Sequence, residues 1–322
     1  MINLVDAINA SKIHKNVGLY VREIVKPGLT LKNIASLIEN KIKKEVNFDI
    51  NNPVERGIGF PIGLSLNNCA AHYTPNYNEE DIILKDSDII KIDYGVQIKG
   101  TIIDSAFTMH FDSKYDEFIK ISKDTTNYAV SLCKSDAILG EIGSEIEEYV
   151  KSKEITIDGK IYPLSTMSDL SGHMISLYEI HAGKAVPNRK IFYPMRIKEY
   201  ELYAVEPFIT TGLGNTILKE PNSHFMLSKD YTKNINILNE SEKKIFDIIY
   251  SNYYTLPFCQ KWLYQLNPQN NYDIQLKNLE NKKIINSYPP IYDIDNSIIS
   301  QFEHTIFTRE MGNINLTRND FY

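Results

Sequence analysis

Residues 3–25 place Leu4, Ala7, Ile8, Val17, Val21 and Ile24 at roughly helical spacing, and Pro27-Gly28 ends the pattern. Thr30 stands where it would cap a second helix, whose apolar stripe is Ile34, Leu37, Ile38 and Ile42 and whose far end is lysine-rich. From Arg56 the texture changes. In GIGFPIGLSLNNCAAHYTPN, glycines and prolines punctuate short apolar runs, as in irregular strands and loops around a pocket. Residues 89–111, IIKIDYGVQIKGTIIDSAFTMHF, read as two strands about a tight turn. Helical patterns return over 122–132 and 143–153, with Gly140 as a break between them, and strand-like runs follow at 172–175, 200–210 and 301–308. Helices followed by antiparallel strands predict an α+β fold. Across 239–288 helices take over again: Asn239 with Glu242 reads as a capping box, and Ile245, Phe246, Ile248, Ile249 and Tyr253 form an apolar face. No repeat, low-complexity tract or Pro/Ser linker divides the chain. One domain over 1–322 is expected, with the late helices as an inserted subdomain.

The hairpin contains a conflict, because each strand carries an aspartate, Asp93 and Asp104, among apolar residues. With the turn centred on Ile98 and Lys99, the two acids would lie directly opposite, like charges repelling across roughly 5 Å. Burial adds to the cost, since an unpaired carboxylate loses its hydration and takes up a proton instead. A cation between them would remove the conflict. Acidic or imidazole side chains recur in the later runs: His173 in LSGHMI, Glu206 in YAVEPF and Glu303 in QFEHTI. Singly, a strand histidine is more often a hydrogen-bonded core residue than a ligand, and a strand glutamate an exposed edge position. As a set, Asp93, Asp104, His173, Glu206 and Glu303 offer four carboxylates and one imidazole. Such oxygen-rich ligation suits Mn²⁺, Fe²⁺ or Co²⁺, and accommodates Zn²⁺, better than it suits a thiol-seeking metal. Four acids exceed the needs of one divalent ion, whereas two ions about 3.5–4 Å apart, sharing carboxylates and a hydroxide, would form a hydrolytic site.

With 322 residues, 43% apolar and 24% charged, the chain has ordinary globular composition and length enough for a sizeable core. Its net charge of −6 provides no global basic field for nucleic acid or an anionic membrane, and favours a cationic substrate. Cys69, Cys133 and Cys259 lie far apart without a CxxC pair, so reduced core thiols are expected rather than disulfides or a thiolate zinc site. The opening MINLVDAINASKIHKN lacks the basic-then-apolar order of a signal peptide, and no run approaches the ~18 apolar residues of a membrane span. A soluble, cytoplasmic protein is expected.

Six motifs in order, SLNNCAAHYTPN, KIDYG, IIDSAFT, LSGH followed by IHAGK, AVEPF and QFEHTI, closely resemble the type 2 methionine aminopeptidases. The resemblance runs from the first helices to the closing NDFY. It implies the pita-bread (creatinase/aminopeptidase) fold, in which two pseudo-symmetric α+β halves enclose the metals, with the type 2 helical insertion at about 229–286. By that similarity Asp93 would chelate one of two divalent ions (Mn, Co, Fe or Zn), His173 and Glu206 the other, and Asp104 and Glu303 would bridge both. The bridging water, its pKa drawn towards neutrality, would be the nucleophile, with Glu206 accepting and shuttling its proton. His72 would stand near the scissile amide nitrogen, and His181 would hydrogen-bond the substrate carbonyl oxygen as charge develops. The pocket for the first side chain maps onto Phe60, Ile180, Phe208, His224, Met226 and Tyr288, where rings and a thioether would favour methionine's sulfur. Of the other histidines, His304 follows a ligand in a strand and so faces the opposite way, while His14 and His110 lack a supporting motif.

Two departures stand out. Ser171 occupies a position where eukaryotic members usually carry Asn, and Pro257 one where some carry Ala; both look like archaeal members and bear on inhibitor affinity rather than catalysis. The implied partner is the N-terminal methionine of peptides and nascent proteins, which leaves proximity to the ribosome open. Ribosome association is not carried over, because the charged N-terminal extension of many eukaryotic members is missing from this sequence. A monomer with no membrane and no direct nucleic-acid contact is expected. A rival reading, an Xaa-Pro aminopeptidase or prolidase, shares the five ligands and the paired histidines, but the insertion and SLNNCAAHYTPN speak against it. A non-catalytic pita-bread binding protein is a second, and here the retained ligands and the acidic balance speak against it. Nor does the insertion suit a nucleic-acid module, since residues 241–286 hold six lysines against four acids, a net of +2.

Overall fold

The computed structural model describes residues 2–319, so that 320–322 of the closing NDFY lie outside the described residues. Its first helix, Leu4–Ile24, begins at Asn3, whose side chain accepts the Val5 and Asp6 N–H groups; the second, Leu31–Glu45, begins at Thr30, which accepts from Asn33. The first lays its apolar stripe on the hairpin formed by Ile89–Ile98 and Thr101–His110, and the second packs against the first and against the strand Arg56–Ile58. The other edge of Ile89–Ile98 pairs with Arg56–Ile58 and Gly63–Leu66, completing a four-stranded antiparallel sheet. In the second half, helices Asp116–Leu132 and Leu139–Lys151 pack behind a five-stranded antiparallel sheet ordered 185–187, 171–175, 202–205, 304–309, 312–315. Tyr203, Val205 and Ile306 meet Ala129, Leu139 and Ile146 there. Each half is therefore a sheet with a helix pair behind it, the α+β arrangement expected.

The halves are stitched where the second hairpin strand meets the 299–309 run. Asp104 N–H donates to Thr305 Oγ1 at 2.9 Å, and Glu303 N–H to Ala106 O at 3.0 Å. In return Ser105 Oγ donates to Glu303 O and Thr108 Oγ1 to Gln301 O. Buried backbone that would otherwise lack partners is satisfied across the junction.

Four expectations need correction. The hairpin turn falls on Lys99 and Gly100, both at positive φ (50° and 75°), one residue later than the Ile98-Lys99 centre. That is the geometry of a type I′ turn, for which X-Gly is the favoured pair. Asp93 consequently pairs with Ala106 and Asp104 with Gly95, so the acids are diagonal neighbours on one face rather than directly opposite. Gly140 is no break: it lies in the first turn of Leu139–Lys151, where its α-carbon packs against the backbone of residues 191–193. The preceding helix starts at Asp116, six residues before the expected 122. Finally, the runs 200–210 and 301–308 are each two strands, interrupted at Glu206-Pro207 and Phe302-Glu303.

Residues 229–286 contain helices Glu240–Tyr253, Gln260–Leu266 and Tyr272–Asn281, the first opened by the Asn239–Glu242 capping box. They enclose a separate apolar core of residues such as Ile249, Phe258, Leu263, Tyr272 and Leu279. This core is bolted to the second helix through Glu39, whose Oε1 accepts from Trp262 Nε1 at 2.8 Å and lies 2.6 Å from Lys261 Nζ. All three cysteines are buried and free. Among the described residues no helix is long and apolar enough to cross a membrane.

Glu39→Ala leaves the Lys261 ammonium, only 7% exposed, without a counter-charge. A loss of about 3–5 kcal/mol of unfolding free energy is expected. Equilibrium urea unfolding reads it, and a loss under about 1 kcal/mol would mean that the pair does not hold the insertion in place.

Candidate active site

The sheets converge on the four acids and one imidazole singled out from the sequence. Asp93 is the one residue of Ile89–Ile98 that is not fully buried, because its side chain enters a cavity of about 510 Å³. Asp104 enters the same cavity from the neighbouring strand. Glu206 and Glu303 meet differently. Val205 pairs with His304 and Phe208 with Gln301, so the same register runs on both sides of the strand interruptions and sets Glu206 across from Glu303. Pro207 lacks an N–H and cannot continue the ladder, which leaves the gap in which two acids face each other. His173, on the central part of the five-stranded sheet, completes the group: its Nε2 is 3.5 Å from Asp104 Oδ2 and 3.4 Å from Glu206 Oε1.

The electrostatics are severe. Asp93 Oδ1, Asp104 Oδ1 and both carboxylate oxygens of Glu303 are buried with no hydrogen-bond partner among the described residues. Burial raises Asp93 to about 6, with partial relief from Gln301 and Asp104. Burial, then the negative neighbours Asp93 and Glu206, push Asp104 well above the usual carboxylate range. Glu206 and Glu303 are raised for the same two reasons. His173 is driven well below its ordinary value by burial and by the nearby His181, so it is neutral and can act as a nitrogen ligand. Ligand atoms of Asp104, His173 and Glu303 lie within 4.8 Å of one another. Donor-poor buried carboxylates beside one neutral imidazole fit borderline-hard divalent cations, which would supply the positive charge that the protein omits.

Two participants went unnoticed in the sequence. Gln301, buried, donates from Nε2 to Asp93 Oδ2 at 3.3 Å and to Glu206 Oε2 at 3.0 Å, orienting two carboxylates at once. The signal was available: it precedes Glu303 by two residues in QFEHTI. Ser223 gave none. Its Oγ donates to His72 O at 3.0 Å, accepts the Thr74 N–H at 3.1 Å and lies 3.0 Å from His224 Nδ1. His72 needs such support because it is held at φ 64°, in the left-handed region.

His72 and His181 both line the cavity, with Phe60, Ile180, Phe208, His224, Met226 and Tyr288 around them. Burial lowers His72 to about 4 and His224 to about 3, and lowers His181 as well, so all three are neutral at pH 7. Ser171 and Pro257 also line this space. The remaining histidines lie elsewhere. His14 hydrogen-bonds Tyr94 O at 2.9 Å and stacks on its ring, His110 sits 3.3 Å from Asp116, and His304 meets Thr317 on the far side of its strand.

The model of metallopeptidase family M24 matches residues 7–226. Over 322 residues the chain is 39% identical to methionine aminopeptidase 2-1 of Fusarium vanettenii, covering 99% of this chain and 72% of that protein. It is 38% identical over 320 residues to methionine aminopeptidase 2 of Encephalitozoon intestinalis, covering 99% of this chain and 88% of that one. A solved structure of a thermophilic Arx1 superposes with a TM-score of 0.83 at 16% identity, over 98% of this chain and 91% of that chain. At such identity the likeness speaks for the fold alone.

Carboxyl groups of raised pKa contribute stability that is present below the ordinary carboxylate range and lost as pH climbs through their shifted values, about 6 for Asp93. Divalent ions reverse that loss by pairing with the ionised forms. The gain in melting temperature on loading with Mn²⁺ should therefore grow between about pH 5 and pH 8. Calorimetry at matched pH checks this, and a gain independent of pH would contradict the crowding described.

Proposed function

The chain belongs to metallopeptidase family M24 and, within it, to the type 2 methionine aminopeptidases, hydrolases that remove an N-terminal methionine, and we propose how its own side chains do so. Asp93, Asp104, His173, Glu206 and Glu303 would hold the divalent ions. When bound, the ions supply Lewis acidity and a water acidified to near neutrality as the nucleophile. Everything else falls to the protein. Glu206, oriented by Gln301, takes the proton of that water and delivers it towards the leaving amide nitrogen. His72, fixed by Ser223, stands beside that nitrogen. His181, a neutral imidazole with one N–H to give, meets the scissile carbonyl oxygen as negative charge develops. Phe60, Ile180, Phe208, His224, Met226 and Tyr288 exclude water and seat the unbranched thioether.

The observation that carries this reading is the set of buried, donor-less carboxylate oxygens at the base of an apolar cavity. A single pita-bread domain with 229–286 as its helical insertion is supported by the separate apolar core of that segment. Action on nascent and other chains in the cytoplasm is supported by three buried free thiols.

Manganese-loaded protein should cleave a Met-Ala-Ser peptide in preference to a Gly-Pro peptide; the reverse preference would favour an Xaa-Pro peptidase. His173→Ala should lose bound metal along with turnover, whereas His72→Ala should keep its metal and lose about 10²-fold or more in kcat. Metal content measured beside activity separates the two roles, and equal metal loss in both variants would contradict them.

A further inference from the structure

His181 lies just beyond a two-residue hairpin. Ser176 N–H donates to Glu179 O at 2.8 Å and Glu179 N–H to Ser176 O at 3.1 Å, leaving Leu177 and Tyr178 at the tip. Past His181 the chain returns, Ala182 N–H donating to Met174 O at 2.8 Å. Tyr178 occupies the left-handed region at φ 57°, an unfavourable conformation for a residue with a side chain, so the tip must be held from outside. One hold comes from the hairpin turn: Tyr178 N–H donates to Gly100 O at 2.8 Å, and its ring lies so close over Gly100 that a Cβ there would stand 2.3 Å from it.

The other holds come from the helical insertion. Thr255 Oγ1 donates to Tyr178 O at 2.6 Å, and the Tyr254 ring meets the Tyr178 ring edge-on at 5.3 Å. Lys229 Nζ lies 2.6 Å from Glu179 Oε1 and donates to His181 O at 3.2 Å. The Lys229–Glu179 pair is exposed (66% and 43%), so its own energy is small; its consequence is where it fixes the His181 backbone. Meanwhile Trp262 and Lys261 anchor the insertion to the second helix through Glu39. The loop of His181 is thus held from two sides, by the turn at Gly100 and by the insertion.

We propose that the insertion is a clamp on this loop, and that Thr255 and Lys229 are positioning residues for the reaction. They act through the carbonyls of Tyr178 and His181 to hold the His181 imidazole at the substrate carbonyl. The inference rests on the role given to His181 above. A displacement near 1 Å at such a group costs about 10²-fold in rate, which two hydrogen bonds on a short loop can prevent.

The test compares Thr255→Val, Lys229→Met and the double variant with the intact enzyme, loaded with Mn²⁺, on Met-Ala-Ser. The expected result is a kcat lowered about tenfold in Thr255→Val and about 10²-fold in the double variant, with KM changed less than about threefold. Bound manganese and melting temperature should stay at the level of the unaltered protein. Hydrogen exchange in residues 176–183 should quicken in metal-free and loaded protein alike, and Thr255→Ser and Lys229→Arg should restore both rate and protection. In a His181→Ala background the same substitutions should cost nothing further. Unchanged kcat in the double variant, full additivity with His181→Ala, or loss of metal as the cause of the lowered rate each overturns the clamp. If His181→Ala itself turned over normally, the assigned role of His181 would fail instead, while the exchange data would still report whether the insertion holds the loop.

Discussion

Four carboxyl groups buried without enough donors are the constraint around which this molecule is built. Asp93 and Asp104 come from one hairpin, Glu206 and Glu303 from a ladder interrupted at Pro207, and the hydroxyls of Ser105, Thr108 and Thr305 bind the two pieces together. A polypeptide would not ordinarily gather such groups, since burial raises all four, negative neighbours raise Asp104, Glu206 and Glu303 further, and among the described residues none has a lysine or arginine as hydrogen-bond donor. Protonation relieves the arrangement at low pH, and external positive charge relieves it once the carboxyls ionise. Binding of divalent ions and integrity of the junction between halves are therefore one energetic problem rather than two.

Burial has opposite consequences for the acids and the histidines, and the chemistry needs both. It raises the carboxyls, so their affinity for cations depends on pH. It lowers His72, His173 and His181, so these rings remain neutral where they line the cavity. A protonated histidine beside the ions would repel them. The same apolar surroundings that shift these groups also line the cavity proposed to seat the methionine side chain, so selectivity and protonation state would share a cause.

The helical insertion has a core of its own, and it contributes Lys229 and Pro257 to the cavity. Besides the pairing of strand His224–Leu227 with Phe258–Cys259 and Ile285–Tyr288 and the stacking of Tyr77 on Tyr264, it meets the rest of the chain through a buried charge cluster on Glu39 and through hydrogen bonds to the backbone around His181. In the proposed clamp, the Glu39 cluster supplies a firm base and the hydrogen bonds a fine adjustment of the His181 loop.

Helix starts at Asn3, Thr30 and Asn239 could be read from the sequence because caps and apolar spacing are local properties. The five ligand candidates could be found because acids inside apolar strands violate burial preferences wherever the strands end up. Register was harder. One residue of error at Lys99-Gly100 moved Asp93 from directly opposite Asp104 to its diagonal, and the true face-to-face pair, Glu206 and Glu303, lies nearly a hundred residues apart in sequence. Gln301 and Ser223 were missed because their importance depends on which distant carboxylate or carbonyl they reach. The sequence by itself determined which side chains would be costly to bury and where helices begin, since both follow from near neighbours. Tertiary structure alone decided how those side chains face one another and what steadies them, because distances between remote segments are set by packing and hydrogen bonding of the whole chain.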